Sequence, residues 1–266
     1  MDFDVSPAGR TVLELNGVSK RYATSDGRSV DAVSTASLSV NRGEFISILG
    51  PSGCGKSTLL MMAAGLVDPT AGTVAYYDDK GVQSASADLA VVFQDALLFP
   101  WRTAIENVKL PAEIAAWNKG DSDRRAKELL ALVGLAGFEN KYPRELSGGM
   151  QQRAAIARSL MRNPQIILMD EPFGALDAIS REQLNLAMQK ISHETGASFL
   201  LVTHSITEAA FLSDKVVVMS KRPSQIVRIL DIDIPKPRAS TIMNSEALNR
   251  YVSELRRILD ISGDPS

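Results

Sequence analysis

The chain has 266 residues, 45% of them hydrophobic, which suffices for one large α/β domain or for a core with a subdomain. Its 29 basic and 31 acidic residues leave a net charge of −2, which argues against a nucleic-acid partner. The longest apolar run, about nine residues near 59–67, is too short to span a bilayer.

Hydrophobic periodicity predicts alternating strands and helices along the chain. Strands are predicted within 11–40, on either side of the loop Ser25-Asp26-Gly27, and at 45–49, 89–93, 166–169, 198–202, 216–219 and 226–230. Helices are predicted at 59–64, in several pieces between about 102 and 162 with a stop at Gly134, around 184–191, and at about 245–261.

This order of elements predicts a single α/β domain, a mixed sheet with flanking helices. Residues 12–94 and 163–234 would form the core of this domain, and about 95–162 an inserted helical subdomain. The last helix, within 240–266, carries Leu248, Tyr251 and Leu255 on one face. We interpret that face as packing against the core, in preference to binding a partner.

The most informative motif is Gly-Pro-Ser-Gly-Cys-Gly-Lys-Ser-Thr, a complete phosphate-binding loop of the form G-x-x-x-x-G-K-[ST] between a predicted strand and a predicted helix. The glycines let backbone N–H groups surround phosphate oxygens, and the helix N-terminus adds a partial positive charge. Lys56 would contact the β- and γ-phosphates and Ser57 would bind Mg²⁺. The predicted nucleotide-binding residues are Gly50, Pro51, Ser52, Gly53, Cys54, Gly55, Lys56, Ser57 and Thr58.

Cys54 is the only cysteine, so it cannot form an internal disulfide, as is typical of proteins in a reducing cytosol. Within the loop we interpret it as a small filler and not as a redox switch.

A second feature of the site is the pair Asp170-Glu171 at the end of an apolar strand, where α/β sheets place ligand contacts. Asp170 would hold the Mg²⁺ shell, directly or through water, and Glu171 would orient and deprotonate the attacking water. The alternative for such a pair alone is a helix cap or a solvated turn.

A third feature is Leu146-Ser147-Gly148-Gly149-Met150, which opens a helix rich in alanine and arginine. Ser147 is a favourable N-cap, and the glycines leave backbone N–H groups accessible to an anion. One nucleotide needs one phosphate site, so a second site suggests contact with the nucleotide of another subunit.

These motifs together resemble the ATP-binding subunit of an ABC transporter, over about 12–234. Tyr22 stands where that family stacks an aromatic ring on adenine. Gln94 matches the glutamine that senses Mg²⁺ and the γ-phosphate, and His204 the switch histidine. The segment 146–150 resembles the signature sequence, with Met150 in place of the commoner glutamine, and Ala175-Leu176-Asp177 resembles the D-loop.

The resemblance implies a head-to-tail homodimer, in which Ser147, Gly148 and Gly149 of one copy close over the ATP held by Lys56 of the other. Glu171 would be the catalytic base, with His204, Gln94 and Lys56 acting on the γ-phosphate region. Ser57, Gln94 and Asp170 would hold Mg²⁺. Asp177 would lie at the dimer seam.

The stretch 95–105 has two interpretations, a groove for a membrane subunit or core packing. With Met150 and Arg222-Pro223-Ser224, it resembles bacterial importers of the nitrate, sulfonate and taurine group. The resemblance implies integral membrane permease subunits, a solute-binding protein, and a peripheral location on the cytoplasmic face of the inner membrane. It leaves the solute open.

Two alternatives belong to other functional classes. A cytosolic ABC ATPase of DNA repair or of ribosomes would be expected to carry a long coiled coil or a second ATPase core, and neither is evident in the sequence. A scaffold without activity is disfavoured because Lys56, Asp170, Glu171 and His204 are all present.

Overall fold

The computed structural model describes residues 10–23, 27–78, 80–84, 88–174 and 176–263. Its strands, in chain order, are β1 (Thr11–Ala23), β2 (Ser29–Asn41), β3 (Phe45–Leu49), β4 (Ala71–Tyr77), β5 (Gln83–Ser84), β6 (Leu89–Val92), β7 (Ile166–Asp170), β8 (Ser198–Val202), β9 (Lys215–Met219) and β10 (Ser224–Asp231). The helices are α1 (Lys56–Ala63), α2 (Ala104–Ile114), α3 (Lys119–Leu132), α4 (Gly148–Ser159), α5 (Ala178–Thr195), α6 (Ile206–Leu212) and α7 (Glu246–Gly263). Short 3₁₀ helices occupy Pro143–Glu145 and Ser240–Asn244.

The strands form one mixed sheet in the order β5-β4-β1-β2-β10-β9-β3-β8-β7-β6. From β9 to β6 the neighbouring strands are parallel, whereas β1, β2, β4 and β5 pair in antiparallel fashion. The strand β10 is antiparallel to β9 and parallel to β2. Because parallel strands end at the same edge, the loops after β3, β7 and β8 all leave from one side of the sheet.

The central strands are buried on both faces, which explains their nearly continuous apolar sequences. In β7, Ile166 and Leu168 belong to one hydrophobic cluster, together with α1 and the antiparallel strands. Ile167 and Met169 belong to the other cluster, together with α2 to α7. The period of two along a strand thus divides the core into two layers.

The helices α2, α3 and α4 lie between β6 and β7 in the chain, within the predicted 95–162 insertion. A capping box formed by Thr103 and Glu106 begins α2, and α3 ends at Leu132, two residues before Gly134 with its φ of 76°. Their buried side chains join the same cluster as Phe199 of β8. The division into core and subdomain stays a prediction.

The last helix packs as predicted, since Leu248 and Leu255 of α7 are buried against the core. The helix predicted at about 245–261 is α7 at Glu246–Gly263, and a separate 3₁₀ helix precedes it at Ser240–Asn244. Ser245 separates the two helices with extended backbone, and its hydroxyl accepts a hydrogen bond from Leu248 N in the first turn of α7.

Candidate active site

The phosphate loop joins β3 to α1 and is shaped by its glycines. Gly53 and Gly55 have φ angles of 71° and 121°, which side-chain-bearing residues rarely adopt. A Cβ at Gly55 would also lie 2.6 Å from the carbonyl oxygen of Ala32. The loop backbone therefore passes against β2 where only glycine fits, and it leads directly into the first turn of α1.

Lys56 lies beneath this loop, and its side chain is almost fully buried at 4% exposure. Its Nζ donates to the carbonyl oxygens of Gly50 and Pro51, at 2.9 and 3.0 Å. The ammonium group is thus held inside the curve of the loop. Ser52 and Gly53, at the tip, are exposed, and Thr58 is half-buried on α1.

Cys54 is buried beneath the same loop. Burial raises the pKa of its thiol, and the nearby Lys56 charge only partly opposes this shift. A thiol kept protonated is a poor nucleophile, in agreement with its interpretation as a filler.

The serine that follows the lysine contacts the carboxylate at the end of β7. Ser57 Oγ donates to Asp170 Oδ1 at 2.9 Å. Burial raises the pKa of Asp170, with Glu171 adding to the shift, while the bond from Ser57 and the charge of Lys56 oppose it. The Ser57 hydroxyl and the Asp170 carboxylate both offer oxygen atoms, which are the ligands that Mg²⁺ prefers.

Among the described residues, no group of three or more His, Cys, Asp or Glu side chains could hold a metal ion. A Mg²⁺ ion is usually held by one or two protein oxygens, water and substrate phosphate. The pair Ser57–Asp170 beside a phosphate loop fits that donor set.

Glu171 follows with a φ of 45°, a left-handed conformation that is unusual for a glutamate and is common at functional sites. Its backbone N–H donates to Val202 O at the end of β8, 2.9 Å away. Its Oε2 lies 3.3 Å from Nδ1 of His204, which directly follows β8 and Thr203. Two neighbouring strands thus bring these side chains together.

Gln94 approaches the same carboxylate from the loop after β6. A Cβ added to Gly174 would lie 3.5 Å from Gln94 Nε2 and 3.9 Å from Glu171 Oε2. The amide and the carboxylate therefore both border Gly174. Gln94 is exposed, so its amide is open to a ligand.

The start of α4 has the predicted N-cap, since Ser147 Oγ accepts from Met150 N at 3.3 Å. Ser147 and Gly148 are exposed. Gly149 faces α5, where an added Cβ would lie 3.5 Å from Ser180 Cβ. Asp177 caps α5 by accepting from Ile179 N and Ser180 N, and Ala175 lies outside the described residues.

Tyr22 lies near the end of β1, and its ring is 39% exposed. Lys20 Nζ lies 5.3 Å from the ring centroid. The structure places the ring at the surface, where a flat ligand can reach it.

Sequence reasoning missed two groups that shape this site. Arg222 Nη2 donates to Gly53 O in the phosphate loop, although the two residues are far apart in the chain. Ser224 Oγ donates to Ala32 O at 2.9 Å, beside Gly55. In the sequence, the triplet Arg222-Pro223-Ser224 contributes only to the resemblance to importers, and nothing in the triplet indicates which loop it contacts.

A buried lysine under a glycine loop, opposite a carboxylate pair, is suited to phosphoryl transfer, so the fold and site define a phosphate-loop nucleoside triphosphatase. A family model described as "ABC transporter" matches residues 33–174, more than half of the chain. The chain therefore belongs to the ABC transporter family, binds ATP and is an ATPase.

Curated relatives agree with this assignment. An uncharacterized ABC transporter ATP-binding protein of Methanocaldococcus jannaschii is 44% identical over 90% of this chain and 87% of its own length. A taurine import ATP-binding protein of Rhizobium johnstonii is 41% identical over 95% of this chain and 98% of its own. A nitrate import ATP-binding protein of Synechococcus elongatus is 42% identical over 85% of this chain, which spans only 35% of that longer protein.

A solved structure gives the same fold. It is a dimeric ATP-binding cassette in a post-hydrolysis state, bound to ADP and Pi, with 34% sequence identity and a TM-score of 0.72. The match covers 84% of this chain and all of the other. In the part of this chain that the structure describes, no helix has the length and apolar character needed to cross a membrane.

Proposed function

We propose that the chain is the ATP-hydrolysing subunit of an ABC import system for a small solute such as nitrate, an alkanesulfonate or taurine. The proposed ATP hydrolysis rests on one observation. Around the carboxyl ends of β3, β7 and β8, the structure brings together four side chains, Lys56, Asp170, Glu171 and His204. The import half is supported by relatives named for nitrate and taurine import.

ATP would bind with its phosphates inside the loop Gly50–Thr58. Lys56 would exchange its carbonyl partners for β- and γ-phosphate oxygens, and the N–H groups at the start of α1 would add partial positive charge. Tyr22 would stack on the adenine. Ser57, Asp170 and Gln94 would hold Mg²⁺, which when bound neutralises charge on the β- and γ-phosphates.

Hydrolysis would proceed by attack of water on the γ-phosphorus. Glu171 would accept the proton of that water while the bond from the γ-phosphorus to the β–γ bridging oxygen breaks, giving ADP and phosphate. His204, 3.3 Å from Glu171 Oε2, would orient the carboxylate and contact the γ-phosphate. Gln94 would contact the same region across Gly174.

The functional unit would be a head-to-tail homodimer. The exposed Ser147 and Gly148 at the start of α4, with Gly149, would contact the ATP bound by the partner copy. Asp177 would lie at the seam between the copies. The dimeric state of the structural neighbour supports this arrangement.

The proposed permease contact is the exposed apolar patch formed by Leu97, Phe99 and Trp101, which are 58%, 36% and 70% exposed. Phe99 and Trp101 stack with ring centroids 5.0 Å apart, whereas Leu98 packs against the core. The two interpretations of this stretch would thus apply to different side chains. The subunit would bind the permease at the cytoplasmic face of the inner membrane, and a solute-binding protein would deliver the solute.

A pull-down from detergent-solubilised membranes of the source organism tests the import proposal. Tagged wild-type chain should recover a polytopic permease, and Trp101→Ala should recover much less of it. Ile261→Ala is the matched control, because Ile261 is similarly exposed, at 69%, on α7. Recovery of ribosomal or DNA-associated proteins without a permease would instead support the cytosolic alternative, which none of these relatives favours.

A further inference from the structure

A buried polar network lies between two loops of the proposed active site, and its centre is Glu208 in the first turn of α6. The residue is only 4% exposed. Its Oε2 accepts a hydrogen bond of 2.5 Å from Thr203 Oγ1, and its Oε1 lies 3.5 Å from Arg181 Nε. A buried carboxylate is costly without polar or charged partners. Glu208 therefore keeps the side chains of Thr203 and Arg181 close to it.

On one side the network fixes the backbone around His204. Thr203 Oγ1 donates to Glu208 and also accepts from Ser205 N at 3.0 Å. Ser205 Oγ in turn accepts from Glu208 N at 3.3 Å. The residues before and after His204 are therefore both tied to Glu208.

On the other side the network reaches the D-loop. Arg181 lies in the first turn of α5, and its Nη2 donates to Leu176 O at 2.9 Å. Its Nε–H forms no hydrogen bond within the described residues, so its pairing with Glu208 is electrostatic. One guanidinium thus contacts both the D-loop backbone and the carboxylate that holds the histidine loop.

We infer that Thr203, Glu208 and Arg181 are positioning residues that set His204 against Glu171 and tie this geometry to the D-loop. The inference rests on the proposed roles of Glu171 and His204. The side chains of those two residues meet at 3.3 Å, so a small shift of the His204 backbone changes their contact. A shift of Leu176 and Asp177 on dimer closure would reach His204 through Arg181 and Glu208.

The two partners of Glu208 also act on its pKa. Burial raises the pKa of Glu208, while the Thr203 hydrogen bond and the Arg181 charge are among the effects that oppose this shift. The two groups that connect the loops thus both favour the ionised carboxylate against the burial that favours the protonated one.

The test compares steady-state ATP hydrolysis and fluorescent-nucleotide binding in single variants of the full chain. Thr203→Val keeps the side-chain shape but removes the hydroxyl, and it should lower kcat about tenfold while the nucleotide Kd changes less than about twofold. Thr203→Ser restores the hydroxyl and should return kcat to near the wild-type value. A kcat of wild-type size in Thr203→Val, or an equal loss in Thr203→Ser, would overturn the inference.

Arg181→Lys tests the other end of the network. It keeps the charge but loses the planar group that spans Leu176 and Glu208, so kcat should again fall about tenfold. Because both changes act through Glu208, the double variant should be about as slow as either single variant. Losses that multiply would contradict a shared path.

The control is Glu194→Gln, which removes a carboxylate from an exposed ion pair with Lys190 on α5 and should leave kcat unchanged. Wild-type chain and Glu171→Gln are measured alongside. Undiminished hydrolysis in Glu171→Gln would refute the proposed role of Glu171. Inactive Glu171→Gln beside a fully active Thr203→Val would refute only the positioning network.

Discussion

Two helix starts in this molecule are predicted to bind anions, and they differ in how completely the chain encloses them. At α1 the glycine loop is crowded, its lysine is almost fully buried, and a Cβ at Gly55 would collide with Ala32. At α4 Ser147 and Gly148 are exposed, and a Cβ added to Gly148 would meet nothing within 4 Å. The chain thus encloses the first helix start by itself, whereas the second is exposed.

The largest effect should come from the enclosed site. Lys56→Ala removes a buried charge that would face the β- and γ-phosphates, so ATP affinity should fall by about 4 kcal/mol, roughly a thousandfold. Calorimetric titration with ATP measures this loss. Lys190→Ala, which alters an exposed lysine on α5, is the control and should bind like wild type. Micromolar affinity retained in Lys56→Ala would refute the phosphate-loop assignment.

A smaller effect, in a different step, should come from the open site. Ser147→Arg should leave ATP binding unchanged but lower kcat about a hundredfold, since the blocked helix start could no longer close over the partner's nucleotide. Mixing this protein with Lys56→Ala should recover activity above either variant alone, because a mixed dimer contains one complete composite site. No gain, with mixed dimers shown to form, would contradict contact between the copies.

The smallest effect concerns folding. Gly55→Ala should lower the free energy of unfolding by about 2 kcal/mol. The backbone of an alanine is strained at a φ of 121°, and its Cβ would clash with Ala32 O. Gly148→Ala should change it by less than about 0.5 kcal/mol. Urea denaturation of both variants measures the difference. Equal free energies of unfolding would mean that both glycine positions tolerate a Cβ equally well. That result would contradict the structural difference between the two loops.

Much of the fold could be predicted because its signals are local. Residues 198–202 and 45–49 are short, mostly apolar runs, and each forms a strand of that extent. The strand β4 was not predicted, since Gly72 and half-exposed side chains leave no clear alternation. The helix α6 was also missed, because its seven residues are too few to show a helical period.

The candidate site divides in the same way. Three parts of the site could be identified because their functional residues are neighbours in the sequence. They are the phosphate loop, Ser147 with its glycines, and the pair Asp170-Glu171. No local pattern predicts the contact of Arg222 with Gly53, and only the family resemblance assigned Gln94 and Glu171 to the same γ-phosphate region. These contacts join segments that are 77 or more residues apart in the numbering, a separation at which no local pattern specifies partners.

By itself, the sequence determined most strands of the sheet and most of the helices beside it, the family, and the residue types available for ATP chemistry. Those properties depend on periodicity and on neighbouring residues. The tertiary structure alone decided that β8 lies between β3 and β7, which brings His204 to 3.3 Å from Glu171. It also decided that Glu208 is buried between Thr203 and Arg181, because burial depends on how α5 and α6 pack against the sheet.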